Sequence, residues 1–367
     1  MKIILLVAGG RAGSDFFHSL IDGHSQILQF PGYLRIDKNL KFILNLKSPE
    51  QKAKSFVKFY PEFFDSRKNK FEKWNKLGDK KNKFFLVNKE KFKNIFIKIS
   101  RKKNFNSNLD TLKNLHYAYF LTRNKNIKKI KIFFIHTHLL SWTKKFIALF
   151  NPEKFEIIHT IRHPLSSLSS PIKSWLSFEN GTSFFSKDLY FQIDLVVNCI
   201  YDLSKLGKVY IIQLERLHTR NLEVMKNFCK KFKIKNEYCL KKSTKNSLKW
   251  WADAASQKYI SGINKKFKVN IYEKYFNQKD LIFFQNLTKH IIKKYKYKSY
   301  YKQKNIKFNF FPMKCEIIVW KNTLKNLFFK GFRWKHLISI PVFYFLRILL
   351  INKIATNRKD FLLPSAF

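Results

Sequence analysis

The chain has 367 residues, 45% of them hydrophobic, a formal net charge of +49 and four cysteines. That length holds one large or two ordinary domains, and that apolar share excludes an intrinsically disordered chain. Cys199, Cys229, Cys239 and Cys315 form no C-x-x-C pair and have no histidine cluster at ligand spacing, which excludes a disulfide scaffold and a zinc ribbon.

The charge admits two explanations. One is an anionic partner such as a nucleic acid, an anionic glycan, a phosphorylated cofactor or an acidic membrane surface. The other is compositional drift, since Lys, Asn, Ile and Phe are abundant together while Gly, Pro and Ala are sparse, as an AT-rich genome imposes. The lysines are spread along the whole chain and not gathered in one patch, so no specific nucleic acid is expected. Reduced, partly buried thiols fit a cytoplasmic protein. The apolar run Ile3 to Ala8 is too short for a signal peptide, and no run reaches the roughly 20 apolar residues of a membrane span.

Lys2 to Val7 predicts a buried strand and Phe16 to Ile21 a helix. Between them stands Gly9-Gly10-Arg11-Ala12-Gly13-Ser14-Asp15. A strand, a glycine-rich turn and a helix start form an anion site: glycine lets the backbone approach a phosphate, and free N–H groups point at it. Arg11 adds a fixed cation and Ser14 a hydroxyl. A plain tight turn would show the same residues, and no G-x-x-x-x-G-K-[ST] loop is present. The helix is expected to stop near Asp22-Gly23, before a short strand at Ile27 to Phe30 that Pro31-Gly32 ends.

Residues 31–129 are rich in Lys, Asn and Phe, with aromatics at irregular helical spacing, and predict a helical insertion covering one end of the sheet. Lys131 to His138 reads as a buried strand ending in His136 and His138, followed by a helix from Trp142 to Phe150 with Ser141 as its cap. Phe155 to Ile161 is another strand, ending at Arg162-His163-Pro164, where proline opens a helix to Trp175. A helix near 188–206, a strand at Lys208 to Gln213 and a helix from Glu215 to Phe232 follow, and 241–300 is expected to be helical. Strands alternating with helices imply a doubly wound, mostly parallel sheet, whose ligands bind beyond the carboxyl ends of the strands. Arg11, His136, His138 and Arg162 all fall at that edge. Residues 337–351 are apolar but contain Pro341 and Arg347. A helix packed on the domain is the first expectation, and a peripheral helix on an anionic leaflet the second.

Taken in order over residues 1–300, these motifs resemble the sulfotransferase family that uses 3′-phosphoadenosine 5′-phosphosulfate (PAPS). Arg11-Ala12-Gly13-Ser14-Asp15-Phe16 is similar to the family's 5′-phosphosulfate loop, and Leu20-Ile21-Asp22-Gly23-His24 to its continuation. His136-Thr137-His138 stands where cytosolic members carry Lys-Thr-His. Arg162, Pro164 and Ser170 match the 3′-phosphate motif, and Leu214-Glu215-Arg216-Leu217 keeps the Glu and final Leu of a fourth. Ala12 and Asp15 replace the usual Ser and Thr, and His136 the usual Lys.

The resemblance implies an α/β, three-layer P-loop-like fold and sulfuryl transfer from PAPS to a hydroxyl on a carbohydrate, a small molecule or a protein tyrosine, with no metal. It implies that Gly10, Arg11, Ala12, Gly13, Ser14, Asp15 and Phe16 hold the donor's 5′ end, with Phe16 at a position that stacks on adenine in some relatives. Arg162 and Ser170 would hold the 3′-phosphate. Arg11 would stabilise the transferring charge, including the part that the Lys replaced by His136 plays in relatives, and His138 would be the general base, with His136 as the alternative base. Glu215 is read as a helix N-terminal charge. The expected organisation is an α/β domain over 1–300, with its core at 1–30 and 130–240, and a C-terminal extension over 301–367. A small-molecule kinase and a non-catalytic binder of anionic polymers are the rival functions; the missing Walker lysine and the Arg162/Ser170 pair argue against the kinase.

Overall fold

A computed structural model describes residues 1–102, 107–177, 184–252, 262–271, 273–302, 310–329, 334–357 and 363–367. The chain opens with β1 (Lys2–Ala8), α1 (Ser14–Leu20) and β2 (Ile27–Leu28). Five helices follow: α2 (Lys38–Asn45), α3 (Pro49–Phe59), α4 (Pro61–Phe64), α5 (Lys89–Lys102) and α6 (Asn108–Thr122). The α/β alternation then resumes with β3 (Ile132–His138), α7 (Leu140–Phe150), β4 (Phe155–Ile161), α8 (Pro164–Ser177), α9 (Ser186–Leu206) and β5 (Lys208–Gln213). After it come α10 (Leu214–Thr219), α11 (Asn221–Phe232), a hairpin of β6 (Thr244–Lys245) and β7 (Leu248–Lys249), then α12 (Gln278–Leu287), α13 (Lys289–Lys294), α14 (Lys314–Phe329) and α15 (Trp334–Asn357).

The first five strands form one sheet in the order β2-β3-β1-β4-β5, with every pairing parallel. The fold is therefore α/β with a parallel sheet between helical layers, as expected. β1 is central and buried on both faces. Ile3, Leu5 and Val7 enter one core with Phe146 of α7 and Ile200 of α9. Ile4 and Leu6 enter the opposite core with Phe17 and Leu20 of α1 and Phe228 of α11. This is the two-residue period of a strand, and it fixes which side chains reach each layer. A third cluster joins α8, α9, α12, α14 and α15.

The aromatics of the helical segment 31–129 pack as core: Phe56, Phe63, Phe64 and Trp74 share one cluster with Leu5 and Ile135. Several other elements differ from their sequence reading. The helix expected over Glu215 to Phe232 is broken at Arg220, whose φ of −132° and ψ of 39° are not helical. The helix after β3 starts at Leu140, with no side-chain cap from Ser141. Residues 241–300 were expected to be helical, yet they begin with the β6–β7 hairpin. Asn246 and Ser247, at φ 51° and 68°, turn it in two residues, the geometry of a type I′ turn. Asn-Ser lacks the glycine that usually announces such a turn. The apolar segment near 337–351 lies inside one helix that accommodates Pro341. Its Trp334–Ile351 stretch is long and apolar enough, by length and composition, to cross a membrane.

Ser247 pays for the hairpin with a left-handed backbone, which glycine adopts without steric cost. Ser247→Gly is expected to raise the stability by about 0.5–1 kcal/mol, read as a higher urea midpoint at unchanged slope. A lower midpoint would show that the Ser247 side chain contributes more than its backbone costs.

Candidate functional site

β1 ends at Ala8, and only Gly9 to Gly13 separate it from α1. The turn is packed from three sides. The Gly9 N–H bonds Thr160 O at 2.9 Å, and a Cβ on Gly9 would stand 2.5 Å from that same oxygen. Gly13 precedes α1 at φ 79°, against the side chain of Leu214. The Ser167 hydroxyl of α8 is 2.8 Å from both the Gly9 and Gly10 carbonyls, sharing its one proton between them. Gln192 of α9 donates to Ser167 O at 3.1 Å. Neither Ser167 nor Gln192 belongs to the sequence motifs, and both hold the loop.

Beyond the loop a cleft of about 770 Å³ opens, lined by Gly10, Arg11, Gly13, Ser14, Asp15 and Phe16, with His138 facing them. Tyr33, Phe71, Trp250 and Phe267 supply aromatic wall, and Asn264, Lys266 and Lys268 a polar and cationic one. Ala12 is buried and off the lining, and His136 is buried behind His138. Arg162 and Ser170 are also off the lining. Arg162 has its guanidinium 6.0 Å from the ring centre of Phe267, which does line it. Ser170 is buried on α8, one residue before the lining Pro171. The cleft thus gathers most of the expected loop and His138, while Arg162 stands behind its aromatic wall.

The two histidines owe their position to the sheet. His136 follows Ile132 and Phe134 on the α1 side of β3, by the strand period. The register slips between Leu6 and Val7, so that Leu6 pairs with His136 and Val7 with His138. That bulge leaves His138 at φ 63°, a strained conformation for a residue with a Cβ and a common device beside functional sites. His138 Nδ1 lies 3.3 Å from His136 Nε2, and His136 Nδ1 lies 3.7 Å from Asp15 Oδ1. Asp15 therefore faces a histidine and not the loop. Burial first, then the charges of His138 and Lys245, hold His136 well below the ordinary imidazole range.

Asp15, His136 and His138 also lie close enough together to be considered as cation ligands. Their arrangement is serial: the two nitrogens of His136 face different partners, so the imidazole stands between the other two groups. That pattern suits proton ordering better than convergence on one ion.

Behind His136 is a residue no motif announced. Lys245, on the β6–β7 hairpin, is buried, donates to Pro31 O at 2.9 Å and lies 3.2 Å from His18 Nδ1. Its ammonium sits 5.1 Å from the ring centre of Trp250 and 5.5 Å from that of Trp74. Burial pushes its pKa down, against the opposing pull of Asp15, Glu72 and Asp22. As one of 73 Lys and Arg residues it carries no sequence signal.

Phe16 is partnered within the chain. His218 stacks on it at 4.5 Å, and Phe267 stacks on His218 at 4.6 Å. Burial, then the charge of Arg162, lowers His218 to about 4, so this layer is neutral at pH 7. Glu215 accepts the His163 N–H at 2.8 Å and lies 3.3 Å from Tyr297 Oη, tying the ends of β4 and β5 together. It is a brace in the first turn of α10.

The class these features define is an α/β protein with a five-stranded parallel sheet and a glycine-loop cleft at its carboxyl edge. No protein-family model matches the chain, and no curated protein sequence does. Among solved structures, the sulfotransferase domain of the Synechococcus PCC 7002 olefin synthase is similar at 13% identity and a TM-score of 0.36, over 67% of this chain and 78% of that one. The sulfotransferase domain of the curacin biosynthetic pathway is similar at 15% identity and a TM-score of 0.33, over 83% and 93%.

The state of His136 is directly measurable. Its ring is expected to remain neutral and its resonances flat from pH 8 to below the ordinary imidazole midpoint of about 6.5, in a histidine NMR titration assigned with His136→Gln. A midpoint at or above 6.5 would mean that Asp15 charges the ring and that burial does not dominate.

Proposed function

We propose that the protein transfers a sulfuryl group from PAPS to an acceptor hydroxyl. The observation that carries this reading is the shared cleft, in which Gly10, Arg11, Gly13 and Ser14 face His138 across a space of about 770 Å³. The loop's backbone, Arg11 and the Ser14 hydroxyl offer an anion cradle to the 5′-phosphosulfate. Arg162, behind Phe267, is the cation we assign to the donor's 3′-phosphate, with Ser170 of α8 as the hydroxyl we assign to the same group.

Sulfuryl transfer asks the protein mainly for positioning and for stabilisation of charge on peripheral oxygens. Arg11 supplies the fixed positive charge next to the transferring group. Asp15 favours a proton on His136 Nδ1. His136 Nε2 then accepts the Nδ1–H of His138, which leaves His138 Nε2 as the basic nitrogen. That nitrogen takes the acceptor's proton as the acceptor oxygen bonds to sulfur and the bond between sulfur and the 5′-phosphate oxygen breaks, releasing 3′,5′-bisphosphoadenosine. Asp15 and His136 are positioning residues in this scheme, and His138 is the catalytic base. Tyr33, whose ring centre is 5.1 Å from that of His138, begins the aromatic shelf on which the acceptor would rest.

The test is transfer of label from [35S]PAPS to acceptors in a cell extract, without added metal. Wild-type protein is expected to label a fraction that His138→Ala leaves unlabelled, a rate loss of roughly 100-fold or more. Asp15→Asn is expected to reduce kcat with little change in KM for PAPS. Label transferred equally well by His138→Ala would remove the assigned base. Transfer of phosphate from labelled ATP, dependent on Mg²⁺, would replace the reading by a kinase.

A further inference from the structure

The C-terminal helix carries a surface that the cleft does not use. Along α15, Trp334, Ile338, Val342, Phe345 and Leu349 recur at intervals of four, four, three and four residues, and each is between 47% and 63% exposed. This is one continuous helical stripe turned away from the domain. Tyr344 and Arg347 bond the carbonyls of Phe310 and Phe311, whose exposed rings extend the apolar area.

The opposite face of α15 is fixed to the protein. Arg347 is buried and donates two bonds of 3.0 Å to Glu316 of α14. Phe343 meets Tyr190 and Phe191 of α9, and Leu350 and Ile351 enter the third core. Withdrawing α15 to cross a bilayer would strand Glu316 and carry Arg347 into hydrocarbon, which is costly. Although its length and composition would allow a span, its packing keeps it flat against the domain.

The surroundings say what covers the stripe. Residues 334–357 contain no acid, and the acid of α14, Glu316, is the buried one. The outward face of α14 presents Lys314, Lys321 and Lys325 between exposed Ile317 and Leu324, and Lys335 adjoins Trp334. An apolar stripe beside lysines without acids is complementary to an anionic leaflet, with acyl chains under the stripe and headgroups on the lysines. A second copy of a chain charged +49 is repelled from the same face. We propose that the α14–α15 face docks the protein peripherally on an anionic lipid surface, independently of the chemistry in the cleft.

The test is co-flotation of the full-length protein with phosphatidylcholine vesicles, with or without about a third phosphatidylglycerol. Wild type is expected to float with the anionic vesicles, weakly with the neutral ones, and less as salt rises. Ile338→Glu/Phe345→Glu is expected to cut the bound fraction roughly tenfold or more with circular dichroism unchanged, because both side chains are exposed. Lys321→Glu/Lys325→Glu, which leaves the stripe intact, is expected to remove the preference for anionic vesicles. Absence of binding to anionic vesicles, or binding that survives both double variants, overturns the proposal. A concentration-dependent dimer abolished by Ile338→Glu/Phe345→Glu would overturn it too, assigning the stripe to self-association.

Discussion

The cleft depends on one close approach. The chain leaves the central strand and enters α1 through five residues, with Gly9 lying directly on the carbonyl of Thr160. A side chain there would push β1 from β4 at the edge where the cleft opens. Ser167 and Gln192 hold the loop from above, so its shape is set by α8 and α9 as much as by its own glycines. Preorganisation of this kind keeps backbone donors aimed at an anion without reordering when one arrives.

The same sheet sets the chemistry opposite the loop. Strand period places His136 on the face that α1 covers, α1 carries Asp15, and the bulge at the end of β3 turns His138 into the cleft. The series Asp15, His136, His138 thus follows from the packing of one helix on one strand. Asp15, which is out of place if the loop is considered alone, has the buried His136 opposite it once the neighbouring strand is considered. Lys245 and His18 complete a buried polar layer behind it, and burial lowers the pKa values of His18, His136 and Lys245 alike.

What the sequence made legible was local. β1, β3, β4 and β5 are apolar runs with β-favouring residues, and their ends carry Arg11, His138 and Arg162. The parallel order follows from strands alternating with helices. What stayed hidden depends on contacts distant in the chain or on turns without glycine. Ser167 lies in a serine-rich helix where nothing distinguishes it from Ser166 or Ser169. His218 looks like a helix residue until it stacks on Phe16, 202 positions away by the numbering. The β6–β7 hairpin turns on Asn246-Ser247, so Lys245 read as part of a helix. The apolar run at 337–351 was legible as a helix; α15 continues through Pro341 because proline removes one backbone donor and the rest of the helix is held by its packing on α9 and α14.

In the function we propose, the glycine loop and Arg162 together recognise an adenosine carrying phosphates at both its 3′ and 5′ positions. Calorimetric titration with 3′,5′-bisphosphoadenosine, and with adenosine 5′-phosphate as the comparison, measures this most directly. The bisphosphate is expected to bind at least roughly tenfold more tightly, and Arg162→Ala to erase the difference while leaving the 5′-phosphate affinity in place. Equal affinity for the two nucleotides in the wild-type protein, or no binding of either, would contradict it.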